Sequence, residues 1–170
     1  MFPILKPIGL PIPISKDTDE FYNIIDGIEE GDIIWFDIHF GPSRWAELGP
    51  QSVVVLKHIW SKGGKVLFIS SSQYGPQMYG LIIDKAKPPE SYEYGINWVN
   101  LGYVIGGETA IASLATDVFS VVKTDNYGNA LEDLSMMHET PDGSFVKLII
   151  VITDGVGAAE NYVRQLKAKY

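Results

Sequence analysis

Apolar residues along this chain fall into two patterns: short unbroken runs, and longer stretches in which they recur every three or four positions. A run without polar interruption suits a strand covered on both faces, and the three-to-four spacing suits a helix with one buried stripe. Runs at 32–40, 65–70, 98–103, 118–122 and 145–152 give five predicted strands. Helical spacing predicts helices over 15–28, from Pro50 to 63, over 77–86, 109–116 and 158–168, with a weakly patterned helical segment at 131–137.

The punctuation agrees with the periodicity. Cap-type residues from Ser15 precede Phe21, Ile24, Ile25 and Ile28, Gly41-Pro42 ends the first strand, and Gly63-Gly64 stops the helix that Pro50 is placed to open. Strand, helix, Gly-Gly, strand is the signature of a right-handed βαβ unit, which makes neighbouring strands parallel. Its repetition predicts an α/β fold: a three-layer sandwich, Rossmann-like or flavodoxin-like, with a mostly parallel sheet of about five strands and helices on both faces. One domain spans 1–170, beginning with an extended strap at 1–14, where four prolines in thirteen residues oppose a helix.

Composition narrows the classes of function. The hydrophobic share of 46% and the charged share of 20% are those of a chain that folds throughout. A net charge of −8 opposes nucleic acid as a partner, because phosphate binding needs Lys and Arg to displace counterions. With no cysteine there is no disulfide framework, thiolate metal site or cysteine nucleophile, and a reducing compartment is compatible. The N-terminus lacks a signal-peptide pattern, and no apolar stretch reaches the roughly 18 residues of a membrane span, so a cytoplasmic location is expected.

In open parallel sheets ligands gather where strand carboxyl ends meet the following turns. Those positions carry Asp37 and His39, then Ser71, then Gly106, Gly107 and Glu108, then Asp125, and finally Asp154 and Gly155. Asp37 and His39, two apart at a strand end, can face the same way and share a proton or a divalent ion, although a satisfied polar strand end is the commoner outcome. The serines at 70–72 can supply a nucleophile with His39 as base and Asp154 as orienter, or can simply cap the next helix. Gly-x-Ser-x-Gly is absent. Gly106-Gly107 and Asp154-Gly155 can expose backbone N–H groups to an anion, or serve as ordinary helix starts. Neither is a dinucleotide fingerprint or a Walker loop, so no cofactor is identified and no metal site assigned. His58 sits in an apolar helix and His138 in a loop.

The segment Val99-Asn100-Leu101-Gly102-Tyr103, followed by Gly106-Gly107-Glu108-x-Ala110-Ile111 and later Thr124-Asp125-x-Tyr127-Gly128-x-x-Leu131, resembles a family of archaeal and bacterial proteins with no established activity. The likeness runs from Pro7-Ile8-Gly9-Leu10-Pro11 to the last helix. Members of that family commonly continue beyond the equivalent of Tyr170, and some span membranes, so the resemblance implies a shortened or truncated member and a possible membrane-associated protein partner.

Two readings of function follow. The first is a module that binds a small anionic molecule or a partner, without chemistry, in a strand-end groove around Gly106, Gly107, Glu108 and Asp154. The second is a hydrolase-type enzyme in which Asp37, His39, Glu108 or Asp154 does acid/base work, with or without a metal. It requires those four residues to converge in one cleft with perturbed ionisation. The aromatic share of 12%, with four tryptophans and Tyr92 and Tyr94, adds the expectation of a homo-oligomer.

Overall fold

The structure, a computed structural model, describes residues 13–166. The expected strap at 1–14 lies outside these residues except for its last two, as does the end of the last predicted helix.

Helix α1 (Lys16–Asp26) starts where the Ser15 hydroxyl accepts the Thr18 N–H at 3.2 Å, and Asp17 and Asp19 place negative charge at its positive end. Strand β1 (Ile33–His39) follows, then a short 3-10 turn (Pro42–Arg44) and α2 (Trp45–Ser61). Pro50 does not open α2 but lies inside it. The helix begins earlier because the 3-10 turn leads directly into it, and Gly49 leaves the space that the Trp45 indole fills: a Cβ there would sit 2.7 Å from the ring.

Strand β2 (Lys65–Ser70), α3 (Gly75–Ala86) and β3 (Trp98–Tyr103) complete two βαβ units. After β3 come α4 (Gly107–Leu114), α5 (Val118–Val121), a 3-10 turn (Leu131–Asp133), α6 (Ser135–Glu139) and a further 3-10 turn (Gly143–Phe145). Strand β4 (Val146–Thr153) and α7 (Val156–Leu166) close the described chain.

The sheet therefore has four strands among the described residues, in the order β3-β2-β1-β4 and all parallel. The strand expected at 118–122 is instead the one-turn helix α5. Asp117 caps it by accepting the Ser120 N–H at 3.2 Å, while the Val118 N–H goes to the Pro141 carbonyl at 2.8 Å. The N–H groups of Val118, Ser120 and Val122 are thus taken by the 141–143 loop, the cap and the helical turn, which holds the segment out of the extended form a ladder needs. The predicted helix at 131–137 divides into a 3-10 turn and α6.

Alternation along β1 divides the core in two. Ile34, Phe36 and Ile38 pack with residues of α1, α2 and α3, including Ile25, Leu56 and Met78. Ile33 and Trp35 pack with residues of α4, α5 and α7, including Ile111, Val118 and Tyr162. The chain moves from β1 through β2 to β3 in one direction, then returns to lay β4 on the other side of β1. The direction of winding reverses between β1 and β4, and the helices that leave those two strands diverge there. Among the described residues no helix is long and apolar enough to cross a membrane.

Candidate functional site

Asp37 follows Trp35 onto the face of β1 that α7 covers, and it is fully buried within the strand. Its cross-strand neighbours are Ile69 and Val151, so nothing on the adjoining strands neutralises a charge. The turn after β2 supplies the partners. The carboxylate accepts the Ser71 N–H at 2.9 Å and the Ser71 hydroxyl at 2.5 Å. The same hydroxyl meets His39 Nδ1 at 2.7 Å.

Ser71 has one hydroxyl proton. When that proton is given to an ionised Asp37, His39 must donate from Nδ1, and Nε2 is then the acceptor left on a half-buried ring. When Asp37 is protonated the chain can reverse its polarity. The arrangement is a three-member proton path from a dry carboxyl to a ring at the strand end.

Burial pushes the Asp37 carboxyl above the ordinary range, against the lowering effect of the two Ser71 hydrogen bonds and the neighbouring His39. Tyr162 of α7 lies on the other side of the carboxyl. Burial, then the charge of Asp37, drives its phenol well above its usual value. The two groups feel one another electrostatically, yet the Tyr162 hydroxyl completes no hydrogen bond of acceptable geometry.

β4 contributes the opposite wall. Thr153 stands beside His39 in the ladder, and its hydroxyl donates to the Gly155 carbonyl at 2.8 Å while accepting the Gly155 N–H at 3.1 Å. Asp154 pairs with Arg44 at 3.2 Å, joining the turn after β1 to the turn after β4. Between them lies a groove of about 430 Å³, bounded by Arg44, Glu47, Leu48, Thr153, Asp154 and Gly155. It occupies the point where the winding reverses, between the starts of α2 and α7.

Of the residues singled out from the sequence, Asp37, His39 and Ser71 thus form one cluster, with Asp154 and Gly155 beside it. Glu108 belongs elsewhere: it holds Arg164 at 3.0 and 3.2 Å and Gln165 at 2.8 Å, tying α4 to α7. Those bonds, Arg164 first, keep its carboxyl below the usual range. Gly106 and Gly107 take φ values of 125° and 54° in the turn after β3. β3 is the far edge of the sheet, three strand spacings or about 14 Å from β4.

Asp125 is also a fixture of that far edge. It accepts the Tyr94 hydroxyl at 2.6 Å, the Tyr127 and Asn129 N–H groups at 2.9 and 2.8 Å, and the Asn129 amide at 2.9 Å. A carboxylate has about four acceptor positions, and these are taken, so Asp125 organises its turn and has no lone pair left for a ligand. Burial raises its carboxyl, but the hydrogen bonds from Tyr94 and Asn129 outweigh it and hold the group low.

The constellation of three carboxylates and one imidazole expected of a hydrolase does not assemble, because Glu108 is held by Arg164 away from the other three. Among the described residues no group of three or more His, Asp or Glu comes together to hold a metal, and Ser71 stands between Asp37 and His39 where an ion would have to sit. His58 pairs with Asp26 at 3.3 Å, and His138 meets the Glu132 carbonyl at 2.9 Å. Arg44 is the site residue that sequence reasoning missed. The one available signal was a lone cation in the turn after the first strand, and its meaning depends on Asp154, which is 110 residues away.

Compared with known proteins, the chain matches no family model, no curated sequence and no solved structure.

Proposed function

We propose that this protein binds a small anionic molecule in the groove between β1 and β4. The observation that carries the reading is the reversal of the sheet at that point, with the half-exposed Arg44 lining the groove and the Asp37–Ser71–His39 path beside it, His39 being the ladder neighbour of the groove residue Thr153. Open parallel sheets bind their ligands at such reversals. The order β3-β2-β1-β4 is the beginning of the doubly wound order 3-2-1-4-5-6, and we read the helices on its two faces as the outer layers of a Rossmann-like sandwich.

The Arg44–Asp154 ion pair is about half exposed on both sides, a setting in which such a pair contributes little stability. A carboxylate or phosphate can therefore take the guanidinium at small cost, with the first N–H groups of α7 alongside. His39, whose ladder neighbour Thr153 lines the groove, is the imidazole nearest to hand for a hydroxyl or acid on the ligand. The test is a thermal-shift and titration screen with small phosphates and carboxylates. A ligand at a hundredfold excess over its Kd adds about 2.7 kcal/mol, or about 5–10 °C for a chain of this size. The shift should disappear in Arg44→Ala and shrink in His39→Ala. A ligand whose shift survives both substitutions binds elsewhere and ends this reading.

The proton path favours a second reading, general acid/base chemistry on His39 with Ser71 and Asp37 behind it, which does without the Glu108 that the expected hydrolase constellation included. A positioned imidazole with a relay behind it contributes on the order of 10²–10⁴ in rate. Chromogenic esters and phosphoesters are the probes: hydrolysis should fall about 100-fold in His39→Ala and respond to Ser71→Ala. Turnover that neither substitution changes, or no turnover at all, leaves binding as the function.

A further inference from the structure

The two edges of the sheet are finished differently. On β3 the outward side is dressed: the Asn100 N–H reaches the Tyr94 hydroxyl at 3.2 Å, the Asn100 carbonyl receives the Asn126 N–H at 2.8 Å, and the loop at 124–130 lies across it. On β4 the side away from β1 has no partner strand among the described residues. A bulge that skips Lys147, between the Ile33–Val146 and Ile34–Leu148 pairs, blunts the start of the strand, but residues 148–153 carry no charge and no proline and leave an open row of N–H and C=O groups among the described residues. Natural edges are usually blunted by charge, proline, a bulge or a covering element.

The flank of that edge is apolar. A groove of about 660 Å³ runs between β4 and α7, walled by Leu148, Ile149, Val151, Tyr162 and Val163. Val163 is 57% exposed and, just before the strand, Phe145 is 58% exposed. No carboxylate lines the groove, although the chain carries 21 acidic residues. Lys147 is the charge there.

We propose that β4 is the dimer interface of this protein, pairing antiparallel with β4 of a second copy across a two-fold axis. An exposed strand edge selects another strand, since only a strand satisfies the whole row of main-chain groups. This chain supplies such a strand, and a two-fold axis makes the same edge complementary to itself. Charge points to the same face: two copies of net charge −8 meet with least repulsion where no carboxylate lies. Size agrees as well. Eight residues at 3.3 Å give a front about 26 Å long, and the sheet with its flanking helices about 20 Å deep, so each copy covers roughly 500 Å². The total of about 1,000 Å² is the lower limit of a specific interface and corresponds to a weak, micromolar dimer.

Sedimentation of the full chain across the micromolar range is the test. The wild type should approach twice the 18.8 kDa chain mass as concentration rises. Val163→Glu, at an exposed position where the fold is not at risk, should weaken association at least about tenfold with unchanged circular dichroism. The chain has no cysteine, so Ile149→Cys provides an independent readout: mid-strand, near the axis, it should form a disulfide-linked dimer under mild oxidation. A wild type that stays monomeric overturns the proposal, as does a dimer that neither responds to Val163→Glu nor crosslinks through Ile149→Cys.

Discussion

At the scale of single residues, the decisive fact is a carboxyl in a place where an ionised one is costly. Asp37 is fully buried in the middle of a parallel sheet, and among the described residues its hydrogen bonds come from Ser71. Its pKa is raised in the folded state above the ordinary 3.8, so the native protein holds the proton more tightly than the unfolded chain does. The sign follows directly. The stability Asp37 contributes is complete below the unfolded value and is lost as pH rises through the higher folded value. Asp37→Asn keeps an acceptor for the Ser71 N–H and lets the Ser71 hydroxyl turn to His39 Nδ1, but it cannot ionise. Urea denaturation at a series of pH values should show the variant gaining on the wild type as pH rises from about 4. A constant gap across the series would mean that Asp37 titrates normally. Asp37→Ala, which leaves the part-buried Ser71 N–H without its acceptor, should cost about 1–3 kcal/mol below about pH 4 and less as pH rises.

At the scale of elements, the site depends on how closely α3 approaches the end of β2. Ser70 donates to the Ile38 carbonyl at 2.9 Å, tying the two strands together just before Ser71. Gly75, the first residue of α3, lies against it: a Cβ there would be 1.6 Å from the Ser70 hydroxyl and 2.9 Å from the Ile38 carbonyl. Overpacking of this kind costs about 1–3 kcal/mol or more. Gly75→Ala should therefore destabilise by at least about 2 kcal/mol in chemical denaturation, and adding Ser70→Gly should recover part of that loss. Additive losses in the double variant would show that the two residues do not share this space.

The same scale explains which elements were legible in the sequence. Strands β2 and β3 begin and end where their mostly apolar runs do, because the residues between their ends are buried on both faces of the sheet. The run at 118–122 looks like a strand by composition, yet Asp117 and the Pro141 carbonyl capture its backbone groups first. Glu108 looks like a site residue at a strand end, yet the packing of α4 on α7 brings Arg164 to it. In both cases the deciding partner is remote in sequence.

At the scale of the whole molecule, charge and shape act together. The copies carry −8 each and repel at long range, while the groove beside the edge assigned to their contact is lined by no carboxylate among the described residues. Added salt should consequently tighten the dimer, since screening removes the repulsion and leaves apolar contact and main-chain bonds intact. Sedimentation at low and moderate ionic strength checks the direction; weakening by salt would indicate an interface held by ion pairs. The aromatic side chains that suggested self-association lie elsewhere. Trp35 and Trp60 are buried, and Trp45 and Trp98 pack against the core.

The amino-acid sequence by itself determined the alternation of strands and helices, hence an α/β fold with a parallel sheet, because periodicity and turn residues act over a few positions. It also brought Asp37, His39 and the serine turn into view, since a strand places alternate residues on one face and a βα turn follows each strand. Only the tertiary structure decided that β4 pairs with β1 and has no second partner strand among the described residues. It alone decided that Arg44 meets Asp154, that Asp125 and Glu108 are occupied by other partners, and that Ser71 links Asp37 to His39. Those outcomes are contacts between segments tens of residues apart, and a contact of that kind depends on which faces find room to pack, a property no local pattern contains.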